Sequence, residues 1–543
     1  MVVRVRHSPI RHNETDPQRF PPHGRFTSSL RAQRPCHSRS NAAQSRVTRR
    51  AILASRTTIG FCLLLAALLI PLATVHAADP ALIDPRTMTF NSIEFSSPEP
   101  ERVLFENGLV VYLLEDHELP LVTISALMRT GGWLDPPDKV GLAALTGTVM
   151  RTGGGGGLSA VEIDDELSQF AGRLTIAIGR QSGSASLDVL RKDVKRGLQL
   201  FAGLVRTPAF DPDSVELAKL QAIERIRRHE DEPESIANRE FVKLLYGSSH
   251  PTARESSIES VRRITRENLI AFHGNSIHPN GTILGVSGDF SKDEMVALLL
   301  DVFGDWEPGI VPHVMIAEVT DDEAERAVVH VINKETSQTH LRVGHLSVKE
   351  TDRDYIPLVI ANDILGGTAL IGRLFNEVRT KHGLAYSVGS ELSPGMYNQG
   401  MWQVWAETKL PSTNDVLGQL VANIERIGTE LVSDTELAQA KETYENVSIF
   451  DCTNSSTMVS RVMKLEYDGL PKDFFQQLRE NVRKVSKEDV LAVARKHLRL
   501  DRLKIIAVGS GGTLAKVLPT FGNVKEVRVN SSMHAVLTAP LQR

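Results

Sequence analysis

Two stretches decide the fold: Val261–Gly288, "VRRITRENLIAFHGNSIHPNGTILGVSG", and Val482–Gly509, "VRKVSKEDVLAVARKHLRLDRLKIIAVG". They have the same length, begin 221 positions apart and change character at the same places. Each offers a hydroxyl, on Thr265 or Ser486, to cap a helix, because that oxygen can accept an amide which the first turn leaves unbonded. Each then runs into a short apolar segment that stops at a glycine, the signature of a buried strand.

Working outward, the starts of the two halves correspond as well. Residues 109–129, "LVVYLLEDHELPLVTISALMR", and 327–348, "AVVHVINKETSQTHLRVGHLSV", are each two apolar runs around a polar turn. A helical segment follows each, over 139–151 and 354–365, and long periodic helices fill the middles, over about 212–246 and, with a break, 413–465. Duplication of one unit accounts for this, and the period is too long for a solenoid. The predicted fold class is α+β: two homologous domains of about 220 residues, each a mostly antiparallel sheet with helices packed on one face. The expected boundaries are an N-terminal domain over 79–308, a linker over 309–325, a C-terminal domain over 326–520 and a tail over 521–543. The linker reading rests on Pro308, Pro312 and the acidic run "EVTDDEAER", and within the tail "VKEVRV" reads as a short added strand.

Residues 1–78 read as a leader. They carry twelve arginines, no lysine and only Glu14 and Asp16 as acids. The first 45 or so show no apolar periodicity and read as disordered. Then "SRVTRRAILASRTTIGFCLLLAALLIPLATVHAADP" gives a basic flank, an apolar core near Ile59–Thr74 and a small-residue end, so export with cleavage near Ala77 or Ala78 is expected. The competing reading is a membrane anchor, for which some sixteen apolar residues broken by Pro71 are short of the ~20 a span needs. "TRRAIL" partly resembles a twin-arginine export signal, and an ordinary signal fits equally. The chain is −4 overall and the leader +10, which leaves −14 on residues 79–543. An acidic mature chain lacks the basic face that a nucleic-acid partner would need. Cys36, Cys62 and Cys452 cannot build a disulfide framework, so burial alone must stabilise the core.

The chemistry should lie after the first hairpin of each half. Residues 140–157, "VGLAALTGTVMRTGGGGG", frame a short helix, yet none from Val140 to Met150 can bind a metal, take a proton or attack a carbonyl. The five glycines follow a helix and lack the lysine of a phosphate loop, so they read as a flexible connector. A replacement metal site from His250, His273 and His278 lacks both helical pairing and an acidic partner in register.

At this point the sequence resembles the pitrilysin/insulinase family of zinc peptidases, the inverzincins, whose motif is H-x-x-E-H. In the family the motif sits in a segment similar to G-x-A-H-x-x-E-H-M, where two histidines on one helix face hold zinc and the glutamate polarises its water. "GLAALTGTV" puts Ala144 and Thr148 at the histidines and Gly147 at the glutamate. The family's third ligand, a glutamate some 77 residues on, is matched by Arg225 in "AIERIRRHEDEP". A slip of one would bring in Glu224, but no slip supplies histidines, since none occurs between His117 and His229. The resemblance therefore implies no metal in this chain. In the second half "LGGTALIGRLFNEVRTKHGLAYSVGSEL" resembles the family's C-terminal segment, in which an arginine and a tyrosine seven apart reach an active site. They match Arg379 and Tyr386, a pair suited to holding a substrate carbonyl and donating to its developing oxyanion. Gly366 and Gly367 fall where some members carry a glycine-rich substrate loop, with close packing as the alternative, and Arg373 reads as structural.

What the resemblance implies is a non-zinc subunit of a heterodimeric metallopeptidase, and the leader makes that subunit exported, with the periplasm as its expected location. Its partner would be an H-x-x-E-H-bearing chain that holds the zinc. Its substrate would be a peptide or unfolded polypeptide bound by strand addition, with no nucleic acid and no membrane after signal cleavage. The alternative is a non-catalytic scaffold or peptide-binding protein of the same family.

Overall fold

The computed structural model describes residues 98–313, 316–319, 328–368, 370–450 and 454–528. The leader, part of the linker and the end of the tail lie outside the described residues. Among the described residues no helix is long and apolar enough to cross a membrane.

The first half builds strands β1 (Glu101–Leu104), β2 (Val110–Glu115), β3 (Leu121–Met128), β4 (Arg173–Ile178), β5 (Gly183–Leu190) and β6 (Thr282–Gly288). The second builds β7 (Val328–Asn333), β8 (Gln338–Leu346), β9 (Ala385–Ser393), β10 (Met401–Lys409), β11 (Lys504–Gly509) and β12 (Asn523–Glu526). The two sheets run β1-β2-β6-β3-β5-β4 and β12-β7-β11-β8-β10-β9. Without their outer strands β1 and β12, the two orders superimpose term by term. β2–β6 and β7–β11 are parallel, as is the added strand β12 on β7; the other pairings are antiparallel.

The repeated stretches supply the same joint in each half. Thr265 caps the helix Arg266–Ser276 with a reciprocal bond to Asn268, and Ser486 caps Lys487–His497 with one to Asp489. The strands they lead into, β6 and β11, sit mid-sheet and are buried along almost their whole length. Where a strand has one wet face, alternation returns, as in β3 with exposed Leu121, buried Val122 and buried Ile124. The long periodic segment near 212–246 is two helices, Pro212–Asp231 and Pro233–Tyr246. Pro233 forces Glu232 into an extended conformation (φ −88°, ψ 112°) and ends the first one.

Each core lies between its sheet and its own helices, around Ile124, Leu187 and Phe201 in the first half and Val343, Trp402 and Ile424 in the second. The sheets are, however, covered on both faces. Helix Ser455–Asp468, from the second half, lays Val459, Met463 and Tyr467 against Tyr112, Leu114 and Ile283 of the first sheet. Helix Pro233–Tyr246, from the first half, lays Ile236, Phe241 and Leu245 against Ile332, Ile506 and Val508 of the second. Each fully buried apolar side chain of this kind contributes about 1.5–3 kcal/mol. A Cβ on Gly285 in β6 would run into Met463 and Val459, so glycine there sets how close the exchanged helix lies. Charge-assisted bonds fix its angle: Arg102 donates to both oxygens of Glu466 at 2.9 and 2.7 Å, and the Tyr112 hydroxyl donates to the same carboxylate at 2.5 Å.

The five glycines form a packed turn, which corrects their reading as a flexible connector. Gly154, Gly156 and Gly157 have φ of 76°, 60° and 84°, and a Cβ on Gly156 would sit 3.0 Å from Gly203 Cα. The amides of Gly156 and Ala209 complete the turn by donating to Thr207 and Gly154 carbonyls at 3.2 and 2.9 Å.

Candidate functional site

The chemically blank stretch is the helix Leu142–Thr152, entered through Gly141 in a left-handed conformation (φ 105°). Asp135 anchors that entrance: its carboxylate accepts the amides of Gly141 at 2.7 Å and Ala143 at 2.8 Å. Burial pushes the Asp135 carboxyl up, and although these amides and Arg254 oppose it, the pKa stands at about 6. Leu142, Leu145, Val149 and Met150 face the core. Ala144 is exposed and Thr148 half-buried, and both line a cavity of about 770 Å³ to which Pro212–Asp231 contributes Arg225. The three positions at which the resemblance would place metal ligands thus share one space.

Their chemistry does not fit a zinc ion. Ala144 has no donor atom, the Thr148 hydroxyl already donates to Ala144 O at 2.9 Å, and Arg225 is a permanent cation. Glu224 is paired with Arg227. Gly147 points away from the cavity and into β4: a Cβ there would lie 2.5 Å from Ile178 N and 3.0 Å from Ala177 C. A glutamate at this position has no room. Among the described residues no three His, Cys, Asp or Glu side chains cluster to hold a metal. His273 is bonded to Val205 O at 2.8 Å, His250 stacks on Tyr246 and lies 3.2 Å from Ala317 O, and the His278 ring packs against Gly309.

The second half brings Arg379 and Tyr386 together. The Arg379 guanidinium lies 5.5 Å from the Tyr386 ring centroid and 4.9 Å from that of Phe375. Both positions are set by irregular backbone. Arg379 belongs to a π-helical segment, Phe375–Lys381, a form often found at functional sites. In β9, Ser387 faces Glu407 and Ala385 faces Thr408 of β10, so Tyr386 is the extra residue of a β-bulge on an edge strand. Bulges re-aim side chains, and Tyr386 is 72% exposed. Neither residue lines the cavity around Arg225. Gly366 is buried where a Cβ would meet Leu374 Cδ1 at 2.8 Å and Ser390 N at 3.0 Å, and Gly367 is exposed at the end of a second π-helical segment, Asp363–Gly367. Arg373 is structural, donating to both carboxylate oxygens of Glu436 at 2.6 and 3.2 Å.

Two participants escaped sequence reasoning. Phe375 supports Arg379 from the preceding turn, and its four-residue spacing was a usable signal. Arg180, in the β4–β5 turn, also lines the cavity, and nothing local to it announces this.

Comparison with known proteins agrees with the architecture. Residues 110–250 match the family model described as "Insulinase (Peptidase family M16)", and residues 263–444 match "Peptidase M16 inactive domain". An uncharacterized zinc protease of Mycobacterium bovis is 26% identical over 362 residues, which is 65% of this chain and 81% of that one. One of Bacillus subtilis is 24% identical over 378 residues, 67% of this chain and 88% of that one. Among solved structures, a peptidase M16 inactive domain from Pseudomonas fluorescens superposes with a TM-score of 0.68 at 25% identity, covering 76% of this chain and 98% of that one. A protease from Helicobacter pylori gives 0.67 at 16% identity, covering 76% and 99%, a likeness of fold alone.

Proposed function

Since the chain belongs to the insulinase-like M16 peptidase family, we propose that it is the non-zinc subunit of an exported, periplasmic two-chain peptidase. It holds no metal itself and lends Arg379 and Tyr386 to peptide hydrolysis at the zinc centre of an H-x-x-E-H-bearing partner. The observation that carries this reading is the Arg379–Tyr386 pair itself. A guanidinium set against two rings and a tyrosine pushed outward by a bulge are left exposed beside a sheet edge, and neither side chain makes a hydrogen bond or ion pair with any described residue. Arg379 supplies charge-assisted N–H donors to a peptide carbonyl, and the Tyr386 phenol donates a hydrogen bond to the oxygen on which charge develops. The free edge of β9 offers backbone groups on which an extended peptide can register. The vacated helix Leu142–Thr152 keeps its packing role, and the complementary chemistry is left to the other chain.

The test is peptide hydrolysis by this chain alone, by the H-x-x-E-H chain of the same organism alone, and by their mixture, each with and without a chelator. Activity confined to the mixture, abolished by chelation and lowered at least about tenfold by Arg379→Ala or Tyr386→Phe, is expected, as for loss of one transition-state donor. Full activity of the other chain alone, indifferent to both substitutions, would refute the proposal and leave a scaffold.

A further inference from the structure

The cavity around Ala144, Thr148 and Arg225 outlasts the metal site that the family pattern places there. Its about 770 Å³ lies within the range of small-ligand sites. Its floor is apolar where Leu145, Ala222 and Ile226 reach it, and the short side chains of Ala144 and Thr148 leave that floor open. Its charge is opposite in sign to that of the chain. Five arginine or lysine side chains line it against three glutamates, whereas the chain as a whole is −4.

The distribution of partners sharpens this. Glu240 is neutralised inside the wall by Arg239 at 2.9 Å and Lys243 at 2.8 Å. Arg180 is held only by a long, exposed contact to Glu255 at 3.5 Å. Arg225, exposed at the rim, makes no hydrogen bond or ion pair with any described residue, and His229 lies one helical turn on from it and lines the same space. Two guanidiniums from different elements, the β4–β5 turn and the helix Pro212–Asp231, therefore line one cavity. Planar guanidiniums match a carboxylate oxygen pair better than any other common anion partner except phosphate. The apolar floor next to them has no use for an inorganic anion, but it accommodates a side chain adjoining a carboxylate.

We propose that this cavity binds the C-terminal carboxylate of a short peptide, with Arg225 and Arg180 as its cationic partners and the apolar floor receiving the terminal side chain. The ligand class is a peptide acid, the kind of molecule that any peptide hydrolysis releases. The site lies apart from Arg379 and Tyr386 and needs no second chain, so its failure would leave the proposed function untouched, and the reverse also holds.

The experiment uses the full chain alone and fluorescence anisotropy of an N-terminally labelled Ala-Ala-Ala-Leu, as the free acid and as the C-terminal amide. The acid should bind at least about tenfold more tightly than the amide, a difference that rising salt reduces. Arg225→Ala or Arg180→Ala should remove most of that difference, while Arg225→Lys retains part of it. Ala144→Glu, which adds negative charge at an exposed position on the floor, should abolish acid binding with the circular dichroism spectrum unchanged. Equal affinity for acid and amide, or an acid affinity indifferent to both alanine substitutions, would overturn the proposal. So would displacement by inorganic phosphate at the concentration of the acid, which would mark a simple anion site.

Discussion

Gly147→Ala is a sharp test of how the Leu142–Thr152 helix is seated. In an open helical position this change stabilises by about 1 kcal/mol, because alanine loses less backbone freedom on folding than glycine. At Gly147 the new methyl would meet Ile178 N at 2.5 Å and Ala177 C at 3.0 Å, roughly an ångström inside normal contact. Those are backbone atoms of β4, which cannot rotate aside as a side-chain tip would. β4 is held by its ladder to β5 and by the Arg151 guanidinium, which donates to Leu174 O at 2.8 Å. The helix must then move, and overpacking of this kind costs about 1–3 kcal/mol, the upper end applying against rigid backbone. The two effects oppose, and the clash wins by about 2 kcal/mol. Gly274→Ala is the internal control: it lies in the helix Arg266–Ser276 of the same half, and its added methyl meets nothing within 4 Å. In urea denaturation followed by circular dichroism, the midpoint should fall for Gly147→Ala and rise or hold for Gly274→Ala. A midpoint that rises for both would show that the helix is not pressed onto β4, and with it would go the argument that a glutamate cannot be restored here.

Two further outcomes follow from paired charges. Burial pushes the Glu436 carboxyl up, but the Arg373 guanidinium and the Ser433 amide and hydroxyl outweigh it and hold the pKa at about 2, below the 4.5 of a free glutamate. The stability this contributes is therefore present above pH ~4.5 and lost as pH falls toward 2; Arg373→Ala should flatten that stretch of the stability–pH curve and cost about 2 kcal/mol at pH 7. Removing Glu466 breaks three charge-assisted bonds that pin helix Ser455–Asp468 to the first sheet, so Glu466→Ala should speed amide hydrogen exchange in that helix by at least about tenfold. Unchanged exchange there would mean that apolar packing alone seats the helix.

The duplicated plan was legible because caps and strand ends are local: Thr265 and Ser486 announce their helices, and the apolar runs to Gly288 and Gly509 announce their strands. The emptiness of the helix Leu142–Thr152 was legible for the same reason, since Ala144 has no donor atom and Thr148 only a hydroxyl, a poor zinc ligand, wherever they point. What could not be read is partnership at a distance. Periodicity in Pro233–Tyr246 and Ser455–Asp468 declares an apolar face, but not that the face belongs to the other half's sheet. A run of glycines has the same composition whether it swings freely or is clamped against Gly203. The bulge that turns Tyr386 outward is a register shift between β9 and β10 and leaves no mark in either strand alone.

The exchanged helices also dictate an order of assembly. β6 ends at Gly288, but the segment that dries the outer face of its sheet begins only at Ser455, 167 positions later. Tyr112 meets Glu466 across 354 positions. Such contacts form late, after the loop entropy of closing so long a span has been overcome. The first sheet therefore cannot mature as a self-contained module. Until the second half is in place, Tyr112, Leu114 and Ile283 form a wet apolar surface, and a fragment ending at the linker would keep that surface for good. Neither half is a finished domain: each supplies the lid of the other, and the chain reaches its native state as one closing pair.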